Sequence, residues 1–467
     1  MKRFATLLVL LAPLFLLMAC GGGATNSQNN NQPGAVFVVG EDAPVSSVVG
    51  FNVTIDKITL NNSSTSVQAL TQPTAADFGR LMGLRSLLAF NTIAPGTYNS
   101  ATIVFENSNP APVTSYVDLS ASPITVQPLT GSFTQTTVTV PFPAGKPLVV
   151  GNNELAGLHI DFNLHDSLIV NGSNQMTGAI TPVISVQAVS ASDDLGQITE
   201  FTGNIVSVST NTNTFVMQGP YGFQETIDVN SSTAYNGSNS LSTLVADGIV
   251  SVVGTVQADG SILASGVELI STDKAFISGR VLAVNPTSGP VQTVTMWVGE
   301  ELGTSGIIPV DTVQTINLSA VSTYDVCFFD NILTEQVFND ASLVVAQRIF
   351  VGGSIAGGVF TPDMVSLRRQ GVTGALVANS VTITGGTGNP NLGYFQMQND
   401  ALMSYAAGGP FTVLTGDKTF FVNIDGLAGL QQAGTPNLIS RGLVFKNPNN
   451  GEPVVVAGRV RVLPAGE

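Results

Sequence analysis

The sequence predicts an all-β fold built from several modules. Short runs of β-branched residues recur along the chain and are separated by Gly, Pro, Asn and Asp, which is typical of strands joined by tight turns. Helical spacing is rare, and the one candidate helix, residues 75–90 (AADFGRLMGLRSLLAF), is interrupted by Gly79 and Gly83. About 430 of the 467 residues follow the N-terminal segments described next. A length of that order predicts two to four domains.

The N-terminus has the pattern of an export signal. Lys2 and Arg3 precede an apolar run of about fifteen residues, which is too short for a membrane-spanning helix. The run ends in LMAC, and these four residues resemble the lipobox of bacterial lipoproteins. That resemblance implies that residues 1–19 are a signal peptide and that Cys20 carries a lipid, through which the protein is anchored in the membrane. Because Gly21 rather than an aspartate follows Cys20, it also implies the outer membrane.

Residues 20–34 are predicted to form a flexible tether, and the net charge limits the possible partners of the exported protein. The segment has almost no apolar side chains, so we expect it to hold the folded part away from the membrane. The formal net charge is −15, and removal of Lys2 and Arg3 makes it −17 (−15 − 2). The one adjacent basic pair beyond the signal is Arg368–Arg369, so neither charge nor location favours nucleic acid as a partner.

Residues 35–192 are predicted to form the first folded module. Within it, FNVTIDKITL alternates apolar and polar side chains up to Ile55, and the alternation resumes at Ile58. A shift of one residue in an alternating strand predicts a bulge at Asp56 and Lys57.

The same module resembles a known family in five segments. These are VFVVGEDAPV, FNVTIDKITL, LRSLLAFNTIAPGTYNSATIVF, LHIDFNLHDSLIV and GAITPVISV. In order and spacing they resemble the family called domain of unknown function 4382. The resemblance implies a Greek-key β-sandwich in which Asp42 and Asp161 are the positions most often acidic, and it assigns no activity.

The second half of the chain is predicted to contain three repeats, at residues 200–272, 275–370 and 371–467. Each begins with Gly-x-aliphatic, has a threonine followed closely by an aromatic residue near its middle, and closes with aliphatic-Gly-x-aliphatic. This pattern resembles the family called domain of unknown function 5666, which implies small β-barrels of the oligonucleotide/oligosaccharide-binding (OB) shape. The uneven lengths exclude a solenoid, so we expect separate beads, each a five-stranded meander.

Both histidines of the chain lie in GLHIDFNLHDSL, residues 157–168. His159, Asp161, Asn163 and His165 occupy alternate positions, so on a strand all four side chains would lie on one face. In an antiparallel sandwich one face of each sheet is buried and the other is solvated. The pattern therefore favours a solvent-exposed face without a function of its own.

Two chemical alternatives remain for this face, a metal site and a catalytic dyad. Side chains two apart on a strand are about 6 to 7 Å apart, which is close enough to share an ion. A catalytic zinc ion needs a third protein ligand. Since no further histidine exists, Asp42 or Asp56 of the same module would have to supply it. The favoured interpretation needs no cofactor.

Other signs of chemistry are weak. The chain has no GxSxG, phosphate-loop, HExxH or CxxC motif, and the apolar neighbours of Cys327 favour a buried, inert thiol. Carbohydrate binding usually relies on exposed aromatic side chains. Trp297, the one tryptophan, is the candidate platform because it alternates with Thr293 and Thr295. A core or corner position is nevertheless the favoured interpretation for its side chain.

These observations predict a non-enzymatic, lipid-anchored protein of the cell envelope that acts as a scaffold or binding module. Its expected partners are the membrane, through Cys20, and a glycan or another envelope protein. A carbohydrate-binding surface protein and a metal-dependent hydrolase are the alternatives.

Overall fold

The computed structural model describes residues 32–463 except 44–47, 82–83, 119–120, 122–123, 172–175, 220–221, 273–274, 305, 328–336, 400–409 and 448. The chain from Gln32 onward belongs to one compact unit. Its described residues form 35 strands and two short α-helices, so the predicted all-β fold is confirmed. In this part of the chain no helix has the length and apolar composition needed to cross a membrane.

The first module contains sixteen strands and a one-turn helix. The strands are β1 (Gly34–Ala43), β2 (Val48–Asn61), β3 (Ser66–Leu70), β4 (Thr74–Asp77), β5 (Ser86–Ile93), β6 (Gly96–Tyr98), β7 (Ser100–Phe105), β8 (Val113–Asp118), β9 (Thr125–Thr130), β10 (Ser132–Phe133), β11 (Thr137–Pro141), β12 (Leu148–Val150), β13 (Leu155–Asn163), β14 (Leu168–Val170), β15 (Met176–Ile180) and β16 (Ile184–Val189). The helix is α1 (Leu164–Ser167), between β13 and β14.

Two sheets of this module pack face to face. One has the order β16-β13-β1-β5, and its central strands β1 and β13 run parallel. The other has the order β11-β7-β2-β8-β9, with β3 and β4 paired to β2. Phe162 of β13 packs against Phe51 and Phe105 of the second sheet, at ring-centroid distances of 5.3 and 5.7 Å. The core of the predicted sandwich therefore lies between these sheets.

Local structure in this module agrees with one prediction and corrects another. The predicted bulge in β2 is confirmed, because its register with β7 shifts between Ile55 and Lys57. The candidate helix at 75–90 is wrong, since its described residues form β4, a turn and β5. A Cβ atom on Gly79 would lie 2.7 Å from the backbone of Gly50. The turn thus packs directly on β2, which a helix with larger residues could not do.

The remaining nineteen strands form three modules, with bounds as follows. The first has β17 (Ile198–Ser209), β18 (Thr214–Gln218), β19 (Gln224–Asp228), β20 (Ala234–Asn236), β21 (Ile249–Val256) and β22 (Ile262–Ser271). The second has β23 (Ala275–Asn285), β24 (Thr293–Leu302), β25 (Thr312–Asn317), β26 (Thr323–Val326), β27 (Arg348–Ala356) and β28 (Val359–Arg368). The third has β29 (Gln370–Leu376), β30 (Thr382–Ile383), β31 (Gly393–Asn399), β32 (Phe411–Thr415), β33 (Phe420–Val422), α2 (Gly426–Gln432), β34 (Asn437–Lys446) and β35 (Pro453–Val462).

These modules share one arrangement of five main strands. In the first, β17 pairs with β18 and β21, β21 pairs with β22, and β19 closes the barrel by running parallel to β22. In the third, β29, β31, β32, β35 and β34 form the same closed order. The second has the same strand order, but its described strands β25 and β28 are not paired with each other, so this barrel is open between them. In each module the first of the five main strands pairs with the fourth, as β17 pairs with β21, so the predicted meander is wrong. The predicted barrel-like fold is confirmed.

The threonine–aromatic motif of each repeat forms a short additional strand. β20, β26 and β33 each run parallel to the last strand of their own module. Thr233 and Thr419, which precede β20 and β33, donate to the backbone carbonyl oxygens of Ala264 and Ala457 at 2.8 and 2.7 Å. The motif therefore fixes a strand in place, which explains its recurrence along the sequence.

Candidate functional site

The face of β13 that was predicted to be solvated is buried. His159 is 1% exposed, Asp161 7% and Asn163 9%. In β1, the parallel neighbour of β13, Phe37 and Val39 lie opposite Gly157 and His159 and pack with the core of the first barrel. The prediction of a wet face is wrong because a barrel module covers this side of the sheet.

His165 does not share that face. The strand ends at Asn163, whose side chain accepts a hydrogen bond from the backbone N–H of Asp166 at 3.1 Å and so begins α1. The imidazole of His165 is exposed, and its Nδ1 lies 2.9 Å from Oδ1 of Asp166. The predicted set of four side chains on one face is therefore broken by the helical turn.

A cluster of charged side chains, which we call the β1 junction, fills the buried face. Glu41 of β1 lies 3.1 Å from Nε2 of His159 and 3.4 Å from the guanidinium of Arg85. Arg85 also reaches Asp194 at 3.4 Å, and Arg459 of β35 contacts the same carboxylate at 2.8 Å. Arg459 comes from the third barrel module, and Asp194, which lies between β16 and β17 and is half exposed, links it to Arg85 of the sandwich.

Asp161 makes a second contact between the sandwich and β35. Its Oδ2 lies 3.3 Å from Nη1 of Arg461. Burial raises the pKa of Asp161, although the charge of Arg461 opposes that shift. Burial would also raise the pKa of Glu41, but Arg85 and the hydrogen bond with His159 outweigh it and hold that pKa well below its ordinary range. Glu41 is therefore the ionised centre of the β1 junction.

The two acids considered as further ligands take different positions. Asp42 is buried, and its Oδ1 accepts the backbone N–H of Leu164 at 3.2 Å. Burial, and then the nearby charge of Asp161, raise the pKa of Asp42 well above its ordinary value. Asp56 lies at the bulge of β2, in the other sheet, so it does not join His159. Among the described residues, no group of three or more His, Cys, Asp or Glu side chains is placed to hold a metal ion.

A second buried group, which we call the arginine cluster, joins the sandwich to the first two barrel modules. It consists of three acids and three bases: Glu200, Glu268, Glu300, Arg80, Arg348 and Arg368. Arg348 contacts both carboxylate oxygens of Glu200, at 2.5 and 3.0 Å. Arg368 reaches Glu200 at 3.2 Å and Glu268 at 2.5 Å. Arg80 of the sandwich lies 2.5 Å from Glu300 of β24.

Most side chains of the arginine cluster are buried. Arg368 is fully buried, and its guanidinium lies 4.0 Å from the centroid of the Phe350 ring. Burial would raise the pKa of Glu200, but the charges of Arg348 and Arg368 outweigh it and keep that pKa far below its ordinary value. Each charge in the cluster therefore depends on its partners for stability.

Trp297, the candidate glycan platform, is buried at a junction between modules. It is 3% exposed and packs with Val49 and Val117 of the sandwich. A Cβ atom on Gly50 would lie 2.8 Å from the ring of Trp297. The indole therefore packs directly against the backbone of β2 at this glycine. The favoured core position is therefore confirmed, and the alternative of an exposed glycan platform is wrong. Cys327 is buried as well, as predicted.

The structure also contains a concave site that the sequence did not predict. A cavity of about 490 Å³ lies between the sandwich and the first barrel module. Its lining includes Asp77 and Arg80 from the end of β4 and the following turn, and Phe201 and Thr202 of β17. Phe223, just before β19, completes it with an exposed ring. A cavity of this size at a module junction is typical of sites for small ligands.

Asp77 is the buried acid of the cavity. Its Oδ1 accepts the backbone N–H groups of Phe51 at 2.7 Å and of Arg80 at 3.3 Å. Burial raises the pKa of Asp77 from 3.8 to about 6, although both hydrogen bonds and the charge of Arg80 oppose the shift. At neutral pH the carboxyl group is therefore mainly ionised and can accept hydrogen bonds from a ligand.

Sequence reasoning missed most of the charged residues that the structure brings together, including Glu41, Arg85, Glu200 and Arg348. A signal for them was present. Only 10% of the chain is charged, so an arginine beside an apolar strand, as in QRIFVGG, predicts a buried pair. The partner remained hidden, because Glu200 and Arg348 are 148 positions apart.

Comparison with known proteins identifies one module. Curated proteins give no match to the chain, and the resemblance of the repeats to domain of unknown function 5666 stays a prediction. The match that is found agrees with the resemblance predicted for the first module and covers the sandwich from β1 to the start of β15. Residues 34–177 match the family described as Domain of unknown function (DUF4382).

Proposed function

We propose that this chain is a non-enzymatic, lipid-anchored protein of the cell envelope that acts as a rigid scaffold and binding module. One observation carries the proposal. Two largely buried ion pairs, Arg80 with Glu300 and Asp161 with Arg461, connect the sandwich to the second and third barrel modules. Separating the modules would leave these charges without partners, which opposes independent motion. The tether is predicted for residues 20–34, of which 20–31 lie outside the described residues, and a rigid body on such a tether is suited to present a binding site away from the membrane.

The anchor is proposed from the LMAC pattern, since residues 1–19 and Cys20 lie outside the described residues. In bacteria that produce the full chain, Cys20→Ala is expected to move the protein from the membrane fraction to the soluble fraction, because no acyl chain then holds it. Cys327→Ala is the matched control and should stay in membranes. Membrane attachment of Cys20→Ala would contradict the anchor, and density separation of the two membranes tests the outer-membrane location.

Burial favours the non-enzymatic function over the hydrolase alternative. A hydrolase that used His159 and Asp161 would have to admit substrate to side chains that are engaged with Glu41 and Arg461 in the interior. We expect no turnover of ester, phosphoester or peptide substrates above that of heat-denatured protein. Turnover that is lost in Asp161→Asn, in a variant with native Trp297 fluorescence, would support the hydrolase instead.

A further inference from the structure

The cavity between the sandwich and the first barrel module supports a more specific inference, which rests on the proposed binding function. Its lining combines one carboxylate and one guanidinium with several hydroxyl groups. These polar groups belong to Asp77, Arg80, Thr54, Thr74, Ser86 and Thr202. The wall therefore offers both donors and acceptors of hydrogen bonds to a ligand.

The two charged side chains in the described lining of the cavity have opposite signs. They belong to Asp77 and Arg80. A cationic or anionic ligand would add an uncompensated charge beside this pair, so the site favours a neutral ligand.

Phe223 gives the cavity an apolar platform. Its ring is 43% exposed, whereas Phe201 is buried in the same lining. A sugar ring has one face of C–H groups and an edge of hydroxyl groups. Its face would lie on Phe223, while its hydroxyls would bond to the Asp77 carboxylate.

We propose that this cavity binds a neutral sugar of one or two rings. The volume of about 490 Å³ agrees with that size. The two backbone N–H groups on Oδ1 of Asp77 orient the carboxylate and leave Oδ2 as the acceptor for a ligand hydroxyl. The sugar-binding platform is then Phe223, and not the buried Trp297.

Calorimetric titration of the full chain, in a detergent without a sugar headgroup, tests this proposal. The probes are glucose, galactose, maltose and cellobiose, with glucosamine and glucuronate as cationic and anionic analogues. At least one neutral probe is expected to bind with a dissociation constant below about 1 mM, and both charged analogues should bind at least about tenfold more weakly. A charged analogue that binds more tightly than the neutral sugars would overturn the proposal, as would failure of all four neutral probes.

Two variants locate the binding site. Phe223→Ala and Asp77→Asn should each weaken binding of the neutral probe at least about tenfold. Phe420→Ala, which removes an exposed phenylalanine of β33, is the matched control and should bind normally. Native Trp297 emission confirms that each variant is folded. Binding that survives both cavity variants would place the site elsewhere and overturn the proposal. If no sugar binds but Cys20→Ala still leaves the membrane, the sugar site is refuted and the anchored scaffold is not.

Discussion

The arginine cluster gives a quantitative prediction through Glu200→Gln. Glu200 accepts two bonds from Arg348, at 2.5 and 3.0 Å, and one from Arg368 at 3.2 Å. The substitution keeps the shape but leaves a cluster of three arginines with two carboxylates in the interior. Breaking a buried ion pair from one side costs about 3 to 5 kcal/mol. Because the glutamine carbonyl still accepts one bond, we expect a loss in the lower part of this range, about 3 kcal/mol.

Urea unfolding followed by Trp297 fluorescence measures this loss. Trp297 is the only tryptophan and lies between the sandwich and the second barrel module, so its emission reports on their separation. Glu452→Gln, at an exposed glutamate, is the matched control and should change the free energy of unfolding by less than about 0.5 kcal/mol. The reasoning is refuted if Glu200→Gln costs no more than Glu452→Gln.

Three further predictions concern buried acids and a close backbone contact. Burial raises the pKa of Asp77 from 3.8 to about 6, so between these values the folded chain holds a proton that the unfolded chain has lost. Stability should therefore fall by about 3 kcal/mol as pH rises through this window, and urea unfolding of Asp77→Asn should lack this component. Burial raises the pKa of Glu225 from 4.5 to about 7. Glu225→Gln should consequently stabilise the chain by about 1 to 3 kcal/mol at pH 8 and by little at pH 4; an equal effect at both would be contrary to this account. A Cβ on Gly50 would lie 2.8 Å from the Trp297 ring. Gly50→Ala should lower stability by about 1 to 3 kcal/mol and shift the tryptophan emission, whereas the open position Gly388→Ala should do neither.

The local features of the fold were predictable because they depend on neighbouring residues. The alternation in β2 shifts by one residue, and this placed the bulge between Ile55 and Lys57. The recurring threonine–aromatic motif marked equivalent strands in three modules, since each of these strands runs parallel to the last strand of its own module. Turn residues and β-branched runs likewise predicted the all-β class.

The environment of the 157–168 segment was not predictable from its pattern. Alternation shows that His159 and Asp161 share a face, but it does not show what covers that face. The covering residue Arg461 is 300 positions from Asp161, and an antiparallel sandwich with one wet face has the same alternation. The core position favoured for Trp297 was correct, but its neighbour was not predictable, because Gly50, whose backbone packs against the indole, belongs to another module.

Carboxyl footprinting of the full chain tests the central claim most directly, namely that the charged faces are buried junctions. Carbodiimide-activated labelling, read by mass spectrometry, reports the accessibility of each carboxylate without any substitution. Asp161 and Glu200 should be labelled at least about tenfold more slowly than the exposed Glu452, because solvent does not reach buried carboxylates in a closed junction. Labelling of Asp161 and Glu200 at the rate of Glu452 would show that these faces are open to water and would contradict the account.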